Sequence, residues 1–334
     1  MEPLTNHPQD RNDARGCSER QERKHPRIAL HRKVALCGLV LVAGCFAANS
    51  SVPNPTPEQP ILTDGAKAFE LLKAQVAFGP RYPGSEGHRK CLEWIVAESK
   101  KYTDKVVKQE FSHKWSANGF DVKMTNVIAT MDFGAKKTVL LLAHWDTRPT
   151  ADQEWESRDA QKPVLGANDG ASGVAVLLDL MRAFKETPPP VNVIFLFTDG
   201  EDLGPGLDEM FLGAAHYAKN LPTPKPNYGI LLDMIGDNDL RIPVEPNSLD
   251  AAPDLVKRFY ANAKAIGLGA TFPTEQQGSI YDDHLPLIAA GVPTMDLIDF
   301  SYPHWHTLAD TVDKCSAESL GKVGKAVESF LRKE

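Results

Sequence analysis

Acids and histidines recur at the ends of apolar runs in this chain. Leu142-Ala143 runs into His144-Trp145-Asp146, Phe197-Thr198 into Asp199-Gly200-Glu201-Asp202, and Leu232 into Asp233. A fourth run, ending at Ile298-Asp299, leads to His304-Trp305-His306, and the string Gly166-Ala167-Asn168-Asp169-Gly170 lies between the first two. Carboxylates crowded into one crevice repel one another, and a bound cation offsets that repulsion. Asp, Glu and His are hard-to-borderline donors that suit Zn²⁺ at a site with nitrogen and oxygen ligands and an open position. Each residue also has a plainer role available. His144 could be a core histidine bonded to a backbone carbonyl, Asp169 a helix N-cap, Glu201 and Asp202 a solvated loop pair, Asp233 a turn residue, and His304 and His306 a surface pair. The surface role is kept for His304. Five such coincidences at the same end of one sheet favour a metal site over five unrelated bland roles.

The elements that must hold these residues follow from the hydrophobic pattern. Val139 to Ala143, Val191 to Phe197, Tyr228 to Asp233 and Val292 to Ile298 are short apolar runs, read as strands buried on both faces. Helical spacing covers Ala171 to Phe184, Met210 to Ala218, Asp254 to Ala265 and Ala317 to Arg332. Earlier in the chain Phe69, Leu72 and Val76, and then Leu92, Ile95 and Val96, mark two more helices, followed by strand-like pieces at Val106 to Phe111 and Val122 to Thr130. The alternation predicts an α/β three-layer sandwich with a mostly parallel, mixed central sheet. In such sheets sites form at the carboxyl ends of the strands, where the acids and histidines stand.

The 334 residues are 42% hydrophobic and 24% charged, a globular composition that excludes a disordered tail protein. A net charge of -7 lacks the basic excess of a nucleic-acid surface, so no nucleic-acid partner is expected. The charge is uneven: residues 1–44 carry eight Arg or Lys against five acids, a net +3, which leaves -10 for the rest. Arg32 and Lys33 precede an apolar run, Val34 to Phe46, too short to span a bilayer but suited to the h-region of an export signal. The run contains Val42-Ala43-Gly44-Cys45, which resembles a bacterial lipoprotein signal with Cys45 as the lipidated first residue of the mature protein. The expected division is a signal peptide over residues 1–44, a proline-rich tether over 45–62 and a catalytic domain over 63–334. That places the domain in the bacterial cell envelope, touching the membrane only through its lipid anchor. Cys91 and Cys315 are the two cysteines beyond the leader, and the sequence does not decide whether they pair. Oligomeric state is likewise left open.

Six strings, LLLAHWDTRP, GANDGASGVAVLLDL, VIFLFTDGED, LLDMIGD, YDDHLPLIAAGVP and YPHWHTLADT, resemble in order and spacing the zinc aminopeptidase and glutaminyl cyclase superfamily over roughly residues 65–334. The resemblance implies zinc on Asp169, Asp202 and His306, with Glu201 as general acid/base. In the aminopeptidase branch, His144 and Asp233 would hold a second zinc, bridged by Asp169. In the cyclase branch one zinc is kept and Asp233 takes part in proton handling. Both residues are present, so the ligand inventory does not separate the branches.

Other features lean toward the bacterial glutaminyl-peptide cyclotransferases. These are Trp145 in the AHWDTRP string, the Tyr302 to Thr307 segment, and Tyr281-Asp282-Asp283-His284, in which Asp282 matches a residue that assists the leaving group. The stretch Leu203 to Phe211 is also longer than aminopeptidases usually carry, and an insertion at a strand end can wall off a pocket. The plain role of Asp282 and Asp283 is that of acids enriched at a helix N-terminus. Two departures stand against the animal cyclases: Glu201-Asp202 replaces Glu-Glu, and no tryptophan lies in the insertion. The expected reaction converts the N-terminal glutamine of peptides or proteins to pyroglutamate with release of ammonia, Trp305 and Tyr302 packing on the substrate stem. The alternatives are a zinc aminopeptidase and a non-catalytic ectodomain, the latter expected to have lost ligand residues.

Overall fold

Side chains alternate across the central strands and divide the interior in two. The structure, a computed structural model, describes residues 60–334. The proposed export signal, Cys45 and the tether up to residue 59 lie outside the described residues. In chain order the elements are α1 (Gly65–Val76), α2 (Glu86–Ser99), β1 (Val106–Lys114), β2 (Asp121–Met131), β3 (Thr138–His144), α3 (Ala171–Glu186), β4 (Asn192–Thr198), α4 (Leu212–Lys219), β5 (Tyr228–Asp233), α5 (Pro246–Ala251), α6 (Pro253–Ala265), α7 (His284–Ala289), β6 (Thr294–Ile298) and α8 (Ala317–Leu331). The six strands form one sheet in the order β1-β2-β4-β3-β5-β6. β4, β3, β5 and β6 run parallel, while β2 pairs antiparallel with both β1 and β4. This is the mixed, mostly parallel sheet that the apolar runs predict.

On β3, Val139, Leu141 and Ala143 point into the larger core, while Leu140 and Leu142 join the smaller one. β4 repeats the pattern, with Val193, Phe195 and Phe197 opposed to Ile194 and Leu196. Strands with no polar face must be covered on both sides. The larger core is closed by α1, α2, α3, α6 and α8, the smaller by α4 and α7. α3 lies between the sheet and the α1/α8 pair, so almost all of its circumference is buried. Its Gly173 allows a close approach, since a Cβ there would sit 2.1 Å from the Leu232 carbonyl oxygen of β5. Asp64 caps α1 and Ser316 caps α8, each side chain accepting from backbone N–H groups in the first turn. At the start of the described chain, the N–H groups of Leu62 and Thr63 donate to the Glu328 carboxylate of α8.

Two elements begin two residues later than the sequence expectation, each for a local reason. The helix expected from Met210 begins at Leu212, because Leu207–Glu209 forms a single 3₁₀ turn and Phe211 adopts a left-handed conformation (φ 58°) that a helix cannot continue through. The strand expected from Val292 begins at Thr294, because Pro293 has no N–H to give to the ladder. Cys91 and Cys315 are both buried free thiols.

Candidate metal and acid site

The strand order brings together residues far apart in sequence. His144 ends β3 and Asp233 ends the adjacent β5, and their side chains meet with Nε2 3.2 Å from Oδ1. β4 ends at Thr198, and the following turn carries Glu201 and Asp202. Asp146 fixes that turn, its two carboxylate oxygens accepting the backbone N–H groups of Glu201 and Asp202 at 3.2 and 3.1 Å. Asp169 lies in the loop that enters α3, where the Asp310 carboxylate accepts the N–H groups of Asn168 and Asp169 at 2.9 and 3.1 Å. The α3 N-cap is Gly170, not Asp169, so the Asp169 carboxylate is not used as a cap. Gly170 has φ 102°, and a Cβ there would lie 2.5 Å from the Asp146 carbonyl oxygen, which leaves glycine as the residue that fits.

Two groups of potential ligands result, His144, Asp169 and Asp233 in one and Asp169, Asp202 and His306 in the other. His144 Nε2 lies 3.1 Å from Asp169 Oδ1, His306 Nε2 lies 3.1 Å from Asp202 Oδ1, and His306 Nε2 lies 3.6 Å from Asp169 Oδ2. A tetrahedral ion bound at roughly 2.0–2.1 Å sets its ligand atoms about 3.3 Å apart. Asp169 Oδ2 is buried without a hydrogen-bond partner, a costly state that a cation would relieve. Donor chemistry, spacing and this orphaned oxygen all fit zinc. His304 belongs to neither group; its ring packs edge-on against Tyr302.

Burial and mutual repulsion set the protonation of the remaining acids. Glu201 is held well above the usual carboxylate range, by burial first and then by the neighbouring charges of Asp202, Asp283 and Asp233, against the opposing pull of His144. Asp282 is raised in the same way, by burial and by Asp296, Asp233, Glu201 and Asp283. Asp283 is pushed up to about 7 by burial, although the Thr198 hydroxyl donates to it. As the N-cap of α7 it stands at a helix N-terminus, as its plain role has it, but its side chain makes no capping bond and accepts from Thr198 instead. Behind them, Asp282, His284 and Asp296 form a further buried cluster, backed by Glu245, whose Oε2 lies 3.3 Å from His284 Nε2.

A cleft of about 400 Å³ opens onto these groups. Asp169, Glu201, Asp233, Asp282 and His306 stand on its lining, together with Pro205, Leu207 and Met210 of the insertion and with Tyr281, Phe300 and Trp305. Tyr302 departs from its expected place. It is buried outside the cleft lining, and its hydroxyl donates to Asp310 at 2.8 Å, so it supports the Asp169 loop instead of contacting a substrate. Four residues of the site receive no role from the sequence: Asp146, Arg148, Asp152 and Asp310. The first two stand inside the AHWDTRP string, but nothing in a linear string says that Asp146 reaches the turn after β4.

The sequence profile of peptidase family M28 matches residues 126–331. The chain belongs to that family. It is 25% identical over 290 residues to the glutaminyl-peptide cyclotransferase of Bos taurus, a match spanning 75% of this chain and 77% of that protein. Among solved structures, the glutaminyl cyclase of Porphyromonas gingivalis is similar at 34% identity and a TM-score of 0.78, over 82% of this chain and 99% of that one. The leucine aminopeptidase precursor of Bacteroides thetaiotaomicron is similar at 33% identity and a TM-score of 0.79, over 81% and 98%. M28 membership and the two ligand groups together suggest a zinc enzyme with the superfamily's α/β fold.

Proposed function

We propose that this M28 member is a glutaminyl-peptide cyclotransferase, acting on the N-terminal glutamine of peptides or proteins. The observation that carries the reading is the cleft itself. Its lining brings buried Glu201, Asp233 and Asp282 together with Pro205, Leu207 and Met210 of the Leu203 to Phe211 insertion. A glutamine must fold back so that its α-amine reaches its own γ-amide carbon, and apolar walls such as Met210, Leu207 and Trp305 would hold that bent form. Zinc on Asp169, Asp202 and His306 would supply a Lewis acid for the γ-carbonyl oxygen.

The proton inventory then falls to Glu201. The α-amine nitrogen forms a bond to the γ-amide carbon and gives up one proton to the Glu201 carboxylate; the C–N bond to the amide nitrogen breaks, and Glu201 returns the proton so that ammonia leaves. An α-amine with a pKa of about 7.7–8.0 is partly neutral near pH 8, which lightens the demand on the base. Asp233 and Asp282, which line the same cleft, would share hydrogen bonds around Glu201 and the departing nitrogen. With Cys45 as the lipid-bearing residue, the substrates would be exported polypeptides met at the cell envelope.

The completeness of the His144, Asp169, Asp233 group favours a second reading, a two-zinc aminopeptidase in which Glu201 activates water. One experiment separates them: the zinc-loaded protein is given a Gln-initiated peptide and, in parallel, Leu-p-nitroanilide. Ammonia release, with the peptide lighter by one ammonia and the anilide untouched, is the expected result. Nitroaniline without lactam formation would make the protein an aminopeptidase.

A further inference from the structure

His306 is held in an unusual way. It is one of three non-glycine residues with positive φ among the described residues, at 54°, a conformation that must be imposed from outside. The constraint comes from the segment between β3 and α3. Its base is closed by two backbone bonds, Val164 N–H to the Arg148 carbonyl at 3.1 Å and Ala151 N–H to that of Lys162 at 2.8 Å. From this loop the Gln153 N–H donates to the His306 carbonyl at 3.2 Å, and Glu154 Oε1 accepts the Leu308 N–H at 2.8 Å. On the other side the Trp305 ring stacks on the His306 ring, with centroids 3.9 Å apart.

Asp152 opens this loop, directly after Ala151. Its Oδ1 accepts from His306 Nδ1 at 3.0 Å, which leaves Nε2 directed at Asp202 and Asp169. Its Oδ2 accepts from Arg148 Nε and Nη2 at 3.0 and 2.6 Å, and the same guanidinium donates through Nη1 to Asp202 Oδ1 at 3.2 Å. One carboxylate thus touches His306 directly and Asp202 through Arg148, two of the three members of the group. An Nδ1–H bonded to a carboxylate fixes the tautomer and the plane of a metal-binding imidazole.

We propose that Asp152 is a positioning residue for the metal group of Asp169, Asp202 and His306. Clamped by Arg148, it holds the His306 ring and aligns Asp202 so that both present their donor atoms to a zinc ion. The inference rests on reading that trio as a cation site, and it is independent of whether the enzyme cyclises or hydrolyses.

The test measures zinc affinity in place of turnover. Protein stripped with a chelator is titrated with zinc against a chromophoric competitor, for wild type, Asp152→Ala, Asp152→Glu and the control Glu156→Gln on the same loop. Asp152→Ala is expected to weaken zinc binding roughly 10–100-fold, with Asp152→Glu recovering most of the loss and Glu156→Gln unchanged. Cobalt(II) in place of zinc should show an altered visible spectrum in Asp152→Ala and a wild-type spectrum in Asp152→Glu, a readout of ligand geometry that general loosening of the loop does not produce. Wild-type affinity in Asp152→Ala, or equal weakening in Glu156→Gln, would overturn the inference. A wild-type protein that takes up no zinc would remove the underlying metal reading instead.

Discussion

Asp169 offers its two carboxylate oxygens to two different histidines, Oδ1 lying 3.1 Å from His144 Nε2 and Oδ2 lying 3.6 Å from His306 Nε2. It is therefore the one residue common to both ligand groups. Asp202→Ala should remove the ion held with His306 and leave the His144, Asp169, Asp233 group intact, whereas Asp169→Asn should impair both. Counting zinc per chain by native mass spectrometry checks this. A wild-type count of one that falls to zero in Asp202→Ala supports a single ion on the His306 side. A count of two falling to one would point to a two-ion site.

Glu201 is fixed through its backbone by Asp146 and is kept out of both metal groups, although its Oε2 comes within 3.7 Å of His144 Nδ1. Glu201→Gln preserves the shape and removes the proton acceptor. Turnover of a Gln-initiated peptide should fall by about 10²–10⁴-fold while zinc content stays at the wild-type level. A near-normal rate would show that another group moves the proton.

Glu245 controls an acid-dependent part of stability. Burial acts to raise its carboxyl, but His284, the Ser248 hydroxyl and the N–H groups of Asn247 and Ser248 outweigh that and hold it down to about 2. An unfolded glutamate titrates near 4.3. The ionised form therefore stabilises the fold above about pH 4.3, and that contribution is lost as the pH falls toward 2. Glu245→Gln should cost about 1–3 kcal/mol at neutral pH and flatten the acid side of the stability profile. Urea unfolding compared between neutral pH and about pH 3 reads both effects; parallel profiles for variant and wild type would contradict the assignment.

Gly173 sets the distance between α3 and the sheet at Leu232 and Ala143, the residues that precede Asp233 and His144. A Cβ would meet the Leu232 carbonyl oxygen at 2.1 Å and the Ala143 Cβ at 2.7 Å, backbone and side chain that are themselves buried. Gly173→Ala should destabilise by about 1–3 kcal/mol through overpacking. Because the displaced neighbours adjoin Asp233 and His144, zinc should also bind more weakly. Thermal unfolding with and without zinc measures the two consequences together: the variant melts lower than wild type and gains less from the metal.

The alternation of apolar runs with helical spacing is local information, and it was enough for the three-layer α/β fold and for most element bounds. The misplacements occur where one residue overrides the pattern, as with Pro293 and left-handed Phe211. The acids and histidines at the strand ends were legible for the same reason, since a strand buried on both faces must turn polar where it emerges. Residue type and order, strengthened by the family motifs, therefore point to Asp169, Glu201, Asp202, Asp233 and His306.

The sequence alone could not say which oxygen faces which nitrogen. Asp146, Arg148, Asp152 and Asp310 act on partners between 4 and 154 residues away, through hydrogen bonds whose lengths and directions exist only when β3, β4, β5 and the loop after β6 have been brought together. Tyr302 shows the same limit from the other side. Its aromatic type suited a substrate wall, but its neighbours in space turn it inward to Asp310. Composition and spacing determined which chemistry the chain could carry, because donor types and strand periodicity are written in the residues. Tertiary structure alone decided which donors converge and which residues hold them, because convergence depends on strand order and backbone direction.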